Sequence, residues 1–328
     1  MNTENLCPFI GKCGGCVYQD LPEQTYLDKK QSFIRRAFAD YGLAVNPKPI
    51  IQIPLYSRRR ACFAFTHGRL GYNALHSHTV VEITECRLLE PAITAFLPTL
   101  RDWARQLKTD GDIFVLNTQF GLDIHIKTVK SNQPDLPLLE RLAGFANRAE
   151  VARLSYNGTP IAAKVLLPVM PDDFLQPSHA GEEALVRLVL EQIGSARTAV
   201  DLFCGGGTFT KPLLTRGLRV RGYDCSNSVH LLGSNGYVRD LFRSPLLPEE
   251  LIDIDLAVID PPRAGALAQV RQLAKSHIPI IVMVSCAPKT AARDCQVLVN
   301  AGWHLDKITP VDQFKWSNHI ELVCVLKK

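Results

Sequence analysis

The sequence predicts two domains: an α+β domain over residues 1–172 and an α/β domain with a mostly parallel, doubly wound sheet over residues 173–328. Two observations carry the second assignment. Strand-like and helix-like stretches alternate from residue 181 onward, the rhythm of a parallel sheet covered on both faces. The first of those strands, TAVDL (198–202), also runs straight into a glycine-rich turn, DLFCGGGTF (201–209). Bulk composition allows both cores, with 328 residues of which 46% are hydrophobic and 21% charged.

In the first half, QTYLDKKQSFIRRAFADYG (24–42) carries Leu27, Ile34, Ala37 and Phe38 at helical spacing. Lys29, Lys30, Arg35 and Arg36 fall mostly on the opposite side, and Gly42 is a stop. SRRRACFAFTHGRLGYNA (57–74) reads as strand, turn and strand, while HTVVEI (78–83) and GLDIHIKTV (121–129) read as strands. The boundary is expected near PDDF (171–174). Beyond it come a helix at GEEALVRLVLEQIG (181–194), the strand and glycine turn, and a helix around TFTKPLLTR (208–216). LRVRGY (218–223), DLAVID (255–260) and IPIIVMVS (278–285) are the further parallel strands, and HIELVCVL (319–326) is expected as an added edge strand.

MNTENLC shows no basic stretch followed by an apolar one, and the longest apolar run, near IPIIVMV (278–284), is too short to cross a bilayer. The expectation is a cytoplasmic, monomeric protein with no membrane association, whose thiols stay reduced. The net charge of +5 is compatible with nucleic acid without requiring it.

The glycine turn opens a helix, where backbone N–H groups favour a polar or anionic ligand. The next strand ends in Asp224, placed to hold the hydroxyls of a ribose. These features suit NAD and S-adenosylmethionine equally. DPPR (260–263) decides for S-adenosylmethionine, because a rigid acidic corner after the third strand is typical of methyltransferases acting on nucleobases. Amino-methylating enzymes follow that corner with an aromatic residue; Arg263 stands there instead. Cys286, in MVSCAPKT (283–290), offers a different chemistry at the carboxyl end of a strand. A thiolate added to carbon 6 of uracil makes carbon 5 nucleophilic enough to take a methyl group. A base must then remove the carbon-5 proton, and Glu321 in SNHIELV (317–323) is the candidate. Cys204, Cys225, Cys295 and Cys324 read as structural.

CPFIGKCGGCVYQ (7–19) has the spacing C-x5-C-x2-C, and Cys86 lies in TECRLL. Four thiolates suit either tetrahedral zinc or an iron–sulfur cluster, and the spacing does not choose.

Taken together, FLQP (174–177), DLFCGGGTFT (201–210), GYD (222–224), DPPRAG (260–265), VSCAPKTAARD (284–294) and NHIE (318–321) resemble the uracil-5 RNA methyltransferase family. CPFIGKCGGCVYQ and SHTVVEITECRLL (77–89) extend the resemblance into the first half. It lies nearest the iron–sulfur-containing 23S ribosomal RNA members without a small N-terminal RNA-binding barrel, for which there is no room before Cys7. The resemblance implies a class I Rossmann-like methyltransferase domain behind an RNA-binding domain. It implies Cys286 as nucleophile and Glu321 as general base. Gln176, Phe203, Thr208, Asp224, Asp240 and Asp260 would line the S-adenosylmethionine pocket, and Cys7, Cys13, Cys16 and Cys86 would hold a 4Fe–4S cluster. The product would be 5-methyluridine in 23S ribosomal RNA, with transfer RNA as the alternative substrate and a non-catalytic iron–sulfur RNA-binding factor as the alternative class. The chain departs from the family at Thr208, where many relatives have Asn, at Asp224, usually Glu, and at Ala287, commonly Asn. The stretch from Asp224 to Asp240 is short, so a trimmed helix is expected there. Arg58, Arg59, Arg60 and the basic face of the first helix are expected to meet phosphates, with Tyr56 or Phe63 stacking on a base.

Overall fold

A computed structural model of the chain describes residues 7–129, 135–148, 151–165, 167 and 175–328. The expected boundary at 171–174, which includes Phe174 of the FLQP run, lies outside the described residues. In chain order the elements are α1 (Glu23–Ala39), β1 (Ile51–Gln52), β2 (Arg60–Thr66), β3 (Arg69–Asn73), β4 (Val80–Glu82) and α2 (Pro91–Gln106). Then come β5 (Gly111–Thr118), β6 (Gly121–Thr128), α3 (Leu136–Arg148), β7 (Val151–Tyr156), β8 (Thr159–Ala163) and α4 (His179–Leu190). The remainder is β9 (Thr198–Leu202), α5 (Thr210–Thr215), β10 (Arg219–Asp224), β11 (Gly236–Val238) and β12 (Leu256–Ile259), followed by α6 (Leu267–Leu273), β13 (Ile280–Ser285), α7 (Pro288–Asn300), β14 (His304–Asp312) and β15 (Glu321–Lys327).

By its internal contacts the chain divides into two units, one of Met1–Leu21 with Pro54–His179 and one of Pro22–Ile53 with Ala180–Lys328. The first unit holds a seven-stranded sheet in the order β4-β3-β2-β5-β6-β7-β8, antiparallel except between β6 and β7. Phe65, Leu97, Trp103, Ile113 and Ile124 form its core.

The second unit holds an eight-stranded sheet in the order β1-β14-β15-β13-β12-β9-β10-β11. Its pairings are parallel except those of β15, which runs antiparallel to both β13 and β14. This corrects the edge-strand expectation for 319–326. Residues 321–326 are all buried, as befits an unbroken apolar run covered on both faces rather than an alternating one. Between Asp224 and Asp240 there is a 3-10 stretch, Asn227–Asn235, in place of a full helix.

Helix α1 belongs to the second unit. Ile34 and Phe38 are fully buried with Leu202, Ile259, Met283 and Leu322. Helical periodicity marks an apolar stripe but not the partner that covers it. Lys30, expected on the exposed basic face, is 3% exposed and ion-paired with Asp312. Among the described residues no helix is long and apolar enough to cross a membrane.

Candidate functional site

Strand β9 ends in a turn that its own backbone makes unusual. Phe203 has φ +63°, Gly205 +52° and Gly207 +92°. Glycine takes such angles freely, whereas a left-handed phenylalanine costs about 1–3 kcal/mol and persists only where it is held. The N–H groups of Phe203 and Cys204 both donate to the Tyr223 carbonyl, at 2.8 and 3.1 Å. A Cβ on Gly207 would stand 2.4 Å from Leu232 Cδ2. Asp224, ending β10, fastens the turn by accepting from Gly205 N–H at 2.9 Å and Ser226 N–H at 2.7 Å. Thr208 lies half-buried in the same turn.

Beneath the turn, Asp201 is wholly buried. Its Oδ2 accepts from Thr210 Oγ1 at 2.6 Å, while its Oδ1 has no hydrogen-bond partner among the described residues. Burial pushes this carboxyl up to about 7. An orphaned buried oxygen under a glycine turn fits a ligand that brings its own polar group. The glycine-turn motif contains Asp201 but does not mark it; the signal is burial, which the motif alone does not reveal. Asp240 Oδ1 accepts from Phe242 N–H at 3.0 Å, and the Phe242 ring lies 5.3 Å from that of Phe203. Phe242 is 45% exposed, an aromatic surface open to a flat apolar ligand. Gln176 falls in the first unit, where it is buried and its carbonyl accepts from Arg59 Nε at 3.0 Å.

A second cluster forms at the carboxyl ends of β12 and β13. The β13–β15 register ends with Ser285 against Leu322, so Cys286, which follows, and Glu321, which precedes, lie at the same end of the pair, and the Glu321 carboxyl acts electrostatically on the Cys286 thiol. Burial, with help from the Glu321 and Asp260 carboxylates, pushes the Cys286 thiol up to about 11, while the Arg263 guanidinium opposes the rise. Glu321 is pushed up to about 7 by burial, against a hydrogen bond from Gln313 and the pull of Arg263. Asp260 is held well above the usual carboxylate range by burial and by Glu321, Asp201 and Asp224. A carboxyl that titrates near neutrality can take up or release a proton at physiological pH, and here it adjoins a thiol. Arg263, noted from sequence only for not being aromatic, supplies positive charge to both members.

In the first unit, Cys7, Cys13, Cys16 and Cys86 line one cavity of about 80 Å³ together with Arg58 and Tyr72. Gly15 N–H donates to Cys13 Sγ at 3.4 Å. The backbone wraps tightly here: a Cβ on Gly14 would meet the Asn73 carbonyl at 2.8 Å. Burial and the other thiols push Cys16 up to about 12, and Cys13 and Cys86 are also raised. Thiols that raise one another fit a shared cationic group. Among the described residues, however, no three His, Cys, Asp or Glu side chains form a group that could hold a metal ion.

The expected RNA contacts change. Arg59 is 6% exposed and spends its guanidinium on the Gln176 carbonyl and on His179 Nδ1 at 2.8 Å. Arg60 donates to the Leu175 carbonyl at 2.8 Å, and Phe63 is buried against Tyr72 with ring centroids 5.1 Å apart. A run of arginines on a half-buried strand finds carbonyl acceptors before it finds solvent. Tyr56 remains exposed.

A family model described as tRNA (Uracil-5-)-methyltransferase matches residues 239–328. The chain is 35% identical to an uncharacterized RNA methyltransferase of Brucella suis biovar 1 (strain 1330), over 98% of this chain and 84% of that protein. It is 27% identical to the 23S rRNA (uracil(1939)-C(5))-methyltransferase RlmD of Halomonas elongata, over 98% of this chain and 76% of that one. The crystal structure of Pyrococcus abyssi tRNA (uracil-54, C5)-methyltransferase in complex with S-adenosyl-L-homocysteine matches with a TM-score of 0.72 and 22% identity, covering 95% of this chain and 85% of that chain. The last match establishes a common fold. End-to-end similarity to RNA methyltransferases, joined to the uracil-5 model over the segment that carries Cys286 and Glu321, places the chain in the uracil-5 RNA methyltransferase family.

Proposed function

We propose that the protein methylates carbon 5 of a uracil in 23S ribosomal RNA, giving 5-methyluridine, with Cys286 as nucleophile and Glu321 as base. The observation that carries this reading is the β13–β15 register, whose last pair, Ser285 and Leu322, puts the Cys286 thiol and a carboxyl held near neutrality at one end of the two strands. Cys286 releases its proton to solvent, Glu321 staying ionised, and its Sγ bonds to carbon 6 of the uracil, pushing an electron pair onto the carbon-4 oxygen as an enolate. S-adenosylmethionine, when bound, supplies an electrophilic methyl group on a sulfonium, and S-adenosylhomocysteine leaves. Carbon 5 of the enolate forms the new bond to that methyl group. Glu321 then takes the carbon-5 proton; the 5,6 double bond re-forms and the Cys286 sulfur departs with its bonding pair. The Arg263 guanidinium eases formation of the thiolate, and the target base must be unpaired or flipped to reach it.

Phe203, Thr208, Asp224, Asp240 and Asp260 are the residues we assign to the methyl donor, and the unpartnered Asp201 oxygen joins them. Cys7, Cys13, Cys16 and Cys86 would hold a 4Fe–4S cluster, whose iron would offset the crowded thiolates and order the first unit. No step of methyl transfer needs an electron from it. The thiol cavity and the similarity to a 23S enzyme favour ribosomal RNA. Transfer RNA is the second reading, favoured by the fold shared with a transfer-RNA enzyme.

The test is tritium release. 23S ribosomal RNA and transfer RNA transcripts carrying tritium on uridine carbon 5 are incubated with anaerobically purified protein and S-adenosylmethionine. Release from ribosomal RNA alone, abolished by Cys286→Ala, is expected. Release from transfer RNA moves the substrate and keeps the chemistry; no release from either rejects the enzyme reading.

A further inference from the structure

Helix α1 grips the connection between β14 and β15 along its whole length. Lys30 Nζ donates to Asp312 Oδ1, to the His319 carbonyl at 2.8 Å and to the Phe314 carbonyl at 3.4 Å. Tyr26 OH donates to Asp312 Oδ2 and accepts from Trp316 N–H at 2.9 Å. Two side chains one helical turn apart thus hold the start, the middle and the end of the connection. Trp316 sits there at φ +61°, a left-handed backbone that a large residue keeps only when it is held. Tyr26, Lys30 and Asp312 are all buried. A buried ion pair adds little net stability against an apolar replacement, but it admits few alternative arrangements.

What this arrangement fixes is the surroundings of Glu321. Gln313, directly after Asp312, hydrogen-bonds the Glu321 carboxyl. His319, whose carbonyl Lys30 holds, has Nε2 3.4 Å from Arg263 Nη2, and that guanidinium acts on both Cys286 and Glu321. We propose that Lys30 and Tyr26 are positioning residues for proton removal: through Asp312 and the connection after it, they set Gln313 and His319 and so hold Glu321 at the carbon-5 proton. This rests on the reading of Glu321 as the base.

The full-length enzyme, a ribosomal RNA transcript and S-adenosylmethionine give three readouts: tritium release, the KM for RNA, and denaturation-resistant RNA–protein adduct carrying transferred methyl. The adduct forms through Cys286 and clears only when the carbon-5 proton leaves, so a misplaced base makes it accumulate. Lys30→Met is expected to lower kcat by about 10- to 100-fold with KM within about twofold and adduct building up. Tyr26→Phe, which removes only a hydroxyl, is expected to lower kcat about fivefold with the same adduct signature, and it keeps the test open where a Lys30 variant does not fold. Lys30→Met with Asp312→Asn removes both buried charges and is expected to melt like the wild type while still stalling as adduct. Wild-type turnover in that folded double variant and in Tyr26→Phe, or slow turnover without adduct, would overturn the inference. Glu321→Gln separates the two levels. If it stalls as adduct while the α1 variants turn over normally, only the positioning role fails; if it turns over normally, the base assignment fails and the inference with it.

Discussion

Burial raises thiols in both units, but the neighbours that add to the rise are different. Around Cys16 they are other thiols, Cys86, Cys13 and Cys7. Around Cys286 they are carboxylates, Glu321 and Asp260, opposed by the Arg263 guanidinium. Thiols that raise one another all gain from one shared cation, which suits a ligand set. A thiol whose neighbours are carboxylates adjoins a base that can act on whatever the thiol binds, which suits a nucleophile. Burial alone therefore does not distinguish the two sets; the second contribution does.

Removing one thiol from each set breaks the comparison most sharply. Cys286→Ala should bring tritium release and methyl transfer down on the order of 10⁴–10⁶-fold, with RNA affinity kept, as expected for loss of a covalent nucleophile. Glu321→Gln should slow carbon-5 proton removal by about 10²–10⁴-fold. In wild-type enzyme, kcat limited by carbon-5 proton removal should rise with pH through about 7, where Glu321 ionises.

The same carboxyl should leave a mark on stability. Its value rises from an ordinary 4.5 to about 7 on folding, so the folded chain binds the extra proton in that window. Stability associated with Glu321 is complete below pH 4.5 and is lost as pH climbs to about 7. Thermal melts across that range should show a shallower fall for Glu321→Gln than for wild type; parallel curves would remove the burial argument.

Cys13→Ala should act on the other set: lower solubility, a lower melting temperature and weaker RNA binding, with Cys286 still able to form adduct. Normal stability and affinity in that variant would erase the distinction between the two sets. The smallest effect is expected at Arg59. Its replacement by Leu leaves buried acceptors unpaired, a loss of about 1–3 kcal/mol readable as a lower urea midpoint. The salt slope of RNA binding should stay unchanged, because Arg59 is not a surface cation.

Much of the second unit was legible along the chain because its signals are local. A strand that runs into DLFCGGGTF needs glycine where φ turns positive, and the turn has φ +52° and +92° at Gly205 and Gly207. The DPPR and VSCAP segments end parallel strands, and Glu321 opens β15, as the motifs suggested. Less was legible in SRRR, where composition points to solvent but the half-buried strand turns Arg59 and Arg60 onto carbonyl groups. The surroundings of Asp201 and Arg263 are not legible along the chain, because neither residue type is unusual at its place; burial and proximity single them out.

By itself the sequence determined the alternation of strands and helices, the glycine turn, the reactive residue types and the grouping of early cysteines, since each depends on neighbours a few positions away. Tertiary structure alone decided that α1 joins the second unit, that Lys30 is buried on Asp312, and that β15 lies inside the sheet with Glu321 at the end where β13 runs into Cys286. An amphipathic period says that a face will be buried, and an apolar run says that a strand will be covered. Which partner does the covering depends on contacts between residues far apart in the chain, and those are what bring the Glu321 carboxyl near the Cys286 thiol.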